Sequence, residues 1–401
     1  MVMDTTHREP APASAPDAPA PAPSRPAVIM QVLPALVTGG VERGTLDVAA
    51  AIVQAGGTAL VASAGGPLVR ELERLGARHV TLPLDRKTPW AIRANRRRLA
   101  ELIEAAAVDI VHARSRAPAW SALGAARRTG RAFVTTFHGT YNFHSPLKRW
   151  YNAVMAKGDR VIAISEFIGQ HIRDNYPVDP ARLRVIPRGI DFVGFDPGRV
   201  SAERLAKLVA TWRVPDGAPI VMLPGRLARW KGHATLIRAI HRLGRNDVVC
   251  VLVGGDHGRD QYHRELEGLA QALGVANRLR LVGDCRDMPA AYMLADVVVS
   301  ASTDPEAFGR VTVEASAMGR PVVATDHGGS RETIEAGVTG WLVPPGDSVA
   351  LAHALDEVLT MTAAERIALG GRAREFVLAR FSKSRMCAAT LKVYAELLGD
   401  A

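Results

Sequence analysis

A chain of 401 residues exceeds what one hydrophobic core organises, so two domains are expected. With 48% hydrophobic and 22% charged residues, the composition is globular and excludes a disordered or fibrous protein. The net charge of +10 is uneven: residues 1–195 hold 25 Lys and Arg against 16 Asp and Glu, and residues 86–149 hold 13 against 3.

In chain order, residues 1–26 form an Ala/Pro-rich stretch without the apolar segment of a secretory signal, and read as a disordered leader. No later stretch approaches the ~18 apolar residues of a membrane span. A cytoplasmic protein is therefore expected, with its basic half available to dock on an anionic membrane surface. Apolar runs then alternate with helical patterns. Strands are predicted at Val28–Leu33, Ala59–Ser63, His79–Leu82, Ile110–His112, Phe133–Thr136, Arg160–Ile164 and Arg184–Pro187. After a Pro/Gly-rich and charged stretch, a second series runs Pro219–Leu223, Val248–Val253, Arg278–Val282, Val297–Ser300, Pro321–Ala324 and Gly340–Val343. Continuous apolar strands spaced by helices predict parallel sheets covered on both faces. The fold class is α/β, with two Rossmann-like doubly wound domains over residues 27–195 and 196–380. A final helix, within 381–401, has no strand after it. Cys250, Cys285 and Cys387 lie far apart without a partner at metal spacing, which fits a reducing compartment; Cys250, inside an apolar strand, reads as core.

The chemistry-bearing residues fall at turns between strands and helices, where open parallel sheets bind ligands. Gly39 and Gly40 open the first helix, and paired glycines there let an anionic group approach the backbone. Alone this reads equally as a tight turn. His138 follows the strand ending at Thr136, in a position to face a cleft; a lone histidine is more often a satisfied polar residue. Arg226 and Lys231 bracket a loop between Gly225 and Gly232 and precede a helix, which makes an anion clamp. Glu306 lies in the loop after Ser300, and Glu314 stands inside the next helix among apolar neighbours, where a carboxylate needs a partner or a ligand. His327-Gly328-Gly329 closes the next strand and either lines the same bay or is only a turn.

From Val28 onward the chain resembles the family 4 glycosyltransferases, retaining enzymes of the GT-B architecture. The likeness is carried by Gly39-Gly40-x-Glu42-Arg43, Ile164-Ser165-Glu166, Ile186-Pro187-x-Gly189-Ile190-Asp191, Gly225-Arg226-x4-Lys231-Gly232 and the pair Glu306 and Glu314. The resemblance implies an interdomain cleft and a last helix that crosses back onto the first domain. It implies that Glu306 meets the donor sugar's hydroxyls and Glu314 holds the nucleotide ribose. Arg226 and Lys231 would hold the diphosphate with the backbone N–H groups of Gly309, Arg310 and Val311, beside Phe308. Gly40 would approach the phosphate from the other domain, and His138 would lie beside the reacting carbon. Two positions depart from the family pattern: Arg188 stands where Asn is usual, and Arg310 replaces a small or apolar residue, which adds a cation near the phosphates.

The expected reaction is retaining transfer from a UDP- or GDP-sugar to an acceptor hydroxyl on a glycan or glycolipid, such as a lipopolysaccharide core. No metal or other cofactor is expected, since the chain has no Asp-x-Asp sequence. A nucleotide-sugar epimerase or phosphorylase of the same architecture is the alternative enzyme. A polyanion-binding protein is the non-enzymatic one; nucleic acid is not expected, because the aromatic residues of the basic region are not patterned as stacking platforms.

Overall fold

The computed structural model describes residues 25–37, 39–141, 145–255, 258 and 260–399; Thr38 and the leader through residue 24 lie outside the described residues. The first sheet comprises β1 (Val28–Val32), β2 (Thr58–Ser63), β3 (Arg78–Thr81), β4 (Ile110–Ala113), β5 (Ala132–Phe137), β6 (Arg160–Ala163) and β7 (Leu183–Val185). The second comprises β8 (Ile220–Pro224), β9 (Val249–Val253), β10 (Leu279–Leu281), β11 (Val297–Ser300), β12 (Val322–Thr325) and β13 (Trp341–Val343). Each strand read from the sequence is present, with ends shifted by a residue or two.

Their orders are β3-β2-β1-β4-β5-β6-β7 and β10-β9-β8-β11-β12-β13, and all pairings are parallel. Helices cover both faces, so every residue of β4, β8, β9, β11 and β12 is buried. That double burial is why these strands read as unbroken apolar runs rather than alternating ones. In each sheet the strand order reverses beside the first strand, between β1 and β4 and between β8 and β11. Crevices open at such points, outside the carboxyl ends of the strands.

The last helix, Lys383–Leu398, has no strand to feed because it belongs to the first domain's surface. It packs on the helix Gly40–Gln54, and Met386, Cys387, Val393 and Tyr394 join the core built on Ile29, Leu46 and Ile52. The Tyr394 hydroxyl meets His112 Nδ1 at 2.7 Å, and Glu396 pairs with Arg160 and Arg184, each at 2.8 Å. The crossing chain is gripped by the Ile186–Asp191 stretch. Ile190 N–H donates to the Phe381 carbonyl and Lys383 N–H to the Ile190 carbonyl, at 2.9 and 3.0 Å. A Cβ on Gly189 would come within 2.6 Å of Lys383 Cα, so the close approach requires glycine.

Two further contacts tie the domains across the cleft. Ser165 Oγ donates to the Ala307 carbonyl at 2.6 Å. Glu332, from the second domain, accepts from the N–H groups of Glu166 and Phe167 at 2.9 and 2.7 Å, capping the helix Glu166–Asn175. Phe308, Val313, Ala317 and Phe381 pack into one core with first-domain residues such as Ile164 and Ile190.

Candidate functional site

Loops from the ends of β8, β11 and β12 in the second domain and of β1, β4, β5 and β7 in the first converge on the interdomain crevice. From the second domain, β8 leads into the segment Gly225–Gly232. Gly232 caps the helix His233–Leu243 with φ +75°, and a Cβ there would lie 1.8 Å from the Ala301 carbonyl oxygen. The loop is thus pressed onto the end of β11. Gly232→Ala is expected to destabilise the fold by about 3 kcal/mol, through both the left-handed φ and this clash. Urea unfolding checks it: an unchanged midpoint would mean that the loop is free to move away.

This docking sets Lys231 beside Glu306. The ammonium pairs with Glu306 Oε1 and lies 4.3 Å from the Trp230 ring centroid, while Ser302 Oγ donates to the same carboxylate oxygen at 2.6 Å. Both charged side chains are mostly buried, at 17% and 16% exposure. Arg226 is exposed and makes no hydrogen bond or ion pair among the described residues. The clamp read from the sequence as two equal cations is therefore one exposed guanidinium and one ammonium already paired with a carboxylate.

The segment His327–Gly329 buttresses this loop. Gly329 N–H donates to the Glu306 carbonyl at 2.8 Å, and a Cβ on Gly328 would sit 2.5 Å from that same oxygen. These glycines pack their backbone closely behind Glu306.

Gly309, at φ +86°, caps the helix Arg310–Ala317 without any side-chain cap, so no side chain covers the first-turn N–H groups of Arg310 and Val311. Phe308 is buried at the domain contact, edge-on to Phe381. One turn on, Glu314 is 6% exposed and each of its oxygens accepts one hydrogen bond: Arg310 Nε donates to Oε1 at 2.5 Å and the Tyr292 hydroxyl to Oε2 at 2.9 Å. Burial, and then the Glu314 charge, hold the Tyr292 phenol well above its ordinary value, so it stays a donor. The apolar surroundings of Glu314 were legible in the sequence; Tyr292, on a different helix, was not. Arg310, read as a cation added near the phosphates, lines the interdomain cavity and places its Nε on Glu314.

From the first domain come Gly40, Arg114, His138 and Arg188. Gly39 caps the helix Gly40–Gln54 without a side chain, and the Gly40 carbonyl accepts from Arg188 Nη2. Arg188 Nη1 also donates to His138 Nδ1 at 3.2 Å, which fixes the neutral ring with its proton on Nε2. Burial first, then Arg188 and Arg114, hold the His138 ring well below the usual histidine range. Burial and Arg114 pull Arg188 down to about 9, still charged at neutral pH. A cavity of about 630 Å³ opens here between the domains, lined by Asp47, Arg188, Asp191, Arg286, Phe308 and Arg310.

Burial also pulls His233 down to about 4 and His112 well below its ordinary 6.5. An unfolded chain binds protons at these sites before the folded one does. Their contribution to stability is therefore complete above pH 6.5 and is lost as the pH falls below it, for His233 down to about 4, at about 1.4 kcal/mol per unit. Denaturant midpoints at pH 7.5, 6.0 and 5.0 should fall in that order; a flat series would contradict the neutral assignments.

Comparisons with known proteins bear on the family and the fold. The family model described as Glycosyltransferase Family 4 matches residues 38–193, and that described as Glycosyl transferases group 1 matches residues 207–376. A glycosyltransferase from Rickettsia africae is 38% identical with a TM-score of 0.87, over 94% of this chain and 100% of that one. A D-inositol 3-phosphate glycosyltransferase of Salinispora tropica is 34% identical over 62% of this chain and 53% of its own length. The chain spans about half the length of the curated relatives it matches. Anabaena HepE, solved with UDP and glucose, superposes with a TM-score of 0.79 at 24% identity over 92% of this chain and 99% of that one, a likeness of fold.

Proposed function

Because the chain belongs to the family 4 glycosyltransferases, we propose that it transfers a sugar, with retention, from a UDP- or GDP-sugar bound in the crevice to a hydroxyl of a lipid-linked glycan. The observation that carries the donor half is Glu314: a buried carboxylate one turn into the helix whose first N–H groups carry no side-chain cap. Each carboxylate oxygen has a second acceptor position beyond those used by Arg310 and Tyr292, enough to hold a ribose diol. The first-turn N–H groups, Arg226 and Lys231 then face the diphosphate, whose charge grows as the glycosidic bond breaks. HepE, solved with UDP-glucose, makes UDP the first donor to test.

Retaining hydrolases place a nucleophilic carboxylate about 5 Å from the acid. Here Glu306 is held by Lys231 and Ser302, which suits it to positioning rather than attack. The donor's own phosphate is left to take the acceptor proton, so catalysis rests on positioning and charge stabilisation. His138, with its Nε2 proton, acts as a hydrogen-bond donor beside the reacting carbon. No metal enters the scheme, and turnover is expected to persist in EDTA.

The acceptor half rests on the first domain. Trp90, Leu147 and Trp150 are 74%, 74% and 59% exposed within the basic stretch, and Lys87, Arg116 and Lys148 line one recess of about 600 Å³. Exposed apolar side chains among cations suit a peripheral hold on anionic lipid, where the rings enter the interface. No helix among the described residues is long and apolar enough to cross a membrane. The relatives named as D-inositol 3-phosphate glycosyltransferases offer a second acceptor class, a phosphorylated polyol. Incubating the enzyme with a panel of nucleotide sugars, EDTA and anionic vesicles carrying a glycolipid tests the reading. One donor consumed with its anomeric configuration kept is expected; consumption of none would overturn it.

A further inference from the structure

We propose that Arg114 and Arg188 form a phosphoryl-binding site on the first domain, beneath the Gly39-Gly40 turn and separate from the Arg226/Lys231 loop. Arg114 directly follows β4 and is 4% exposed, yet no described residue accepts a hydrogen bond from its guanidinium; its Nε is buried without a partner. A buried cation left unpaired is among the most expensive arrangements in a protein. Here a second cation stands next to it. A Cβ built on Gly44 would lie 3.1 Å from Arg114 Nη2 and 2.7 Å from Arg188 Nη2, so the two forks meet over Gly44, in the first turns of the helix Gly40–Gln54, where no side chain separates them. The nearby carboxylate, Asp47, makes no ion pair with either. His138 Nε2 is likewise buried without a partner, and His138 lines the same small recess as Arg114 and Arg188.

Two guanidinium forks, an imidazole N–H and the uncapped start of the helix Gly40–Gln54 together match a tetrahedral dianion. The phosphoryl group comes either from the donor's diphosphate or from a phosphorylated acceptor. This goes beyond the functional reading above, and uses it only for the identity of those two sources.

Inorganic phosphate is the probe, titrated by calorimetry into the full chain carrying Arg226→Ala, which weakens the loop clamp. One site is expected, lost or weakened at least tenfold by Arg188→Gln and by Arg114→Met. Arg114→Met should also raise the melting temperature without phosphate, because it removes an unpaired buried charge; a merely structural arginine would lower it. If saturating UDP excludes phosphate, the donor supplies the group, and if both bind together, the acceptor does. Phosphate affinity unchanged in Arg188→Gln and Arg114→Met, or no phosphate binding at all, overturns the site. UDP binding measured on the same samples shows separately whether the donor reading stands.

Discussion

Alanine at Lys231 is expected to lower kcat for donor turnover by about 10²–10³-fold, with a much smaller change in KM. Lys231 is 17% exposed, so water screens its charge little, and Gly232 holds it against the end of β11. Charge on the leaving diphosphate is greatest in the transition state, which makes a fixed ammonium worth more there than with bound substrate. The substitution also strips Glu306 of its counter-ion and leaves Ser302 as its remaining partner. Hydrolysis of the donor, read as release of nucleotide diphosphate, measures the effect without knowledge of the acceptor. An equal loss in the exposed Arg226→Ala variant would show that the two cations act as one clamp. A rise confined to KM would show that Lys231 only binds.

Glu314→Ala is expected to weaken nucleotide diphosphate binding by about 10²-fold or more, since two hydrogen bonds to a charged acceptor are lost at about 1.5–3 kcal/mol each, partly offset by water. It should also destabilise the free protein by about 1–3 kcal/mol, because the fully buried Tyr292 hydroxyl loses its acceptor. The two effects separate in a cycle with UDP and its 2′-deoxy analogue. The wild type should discriminate between them and the variant should not. Discrimination that survives in Glu314→Ala would place the ribose elsewhere.

Much of the fold was legible because parallel strands buried on both faces write themselves as apolar runs, and each run here became a strand within a residue or two. The turns at strand ends located Gly40, His138, Lys231, Glu306 and Glu314. Partnerships across the sequence were not legible. Nothing at Tyr292 or Glu332 marks the carboxylate or the helix each would serve. Arg114 stood at the end of β4, the same kind of position that flagged His138 at β5, but a basic residue in a basic stretch reads as surface. Arg188 was visible only as a departure from the family pattern. Its contacts with Gly40 and His138 depend on β1, β5 and β7 lying in one sheet.

In the proposed reaction the crevice binds a nucleotide diphosphate through Glu314 and the Arg226/Lys231 loop. Its most direct test is the melting temperature of the wild type, Glu314→Ala and Arg226→Ala against UDP, GDP, ADP and CMP in EDTA. At 100 times Kd a ligand stabilises by about 2.7 kcal/mol, a shift of several degrees. A shift with one nucleoside diphosphate that both variants lose is expected. No shift with any nucleotide, or a shift that both variants keep, would contradict it.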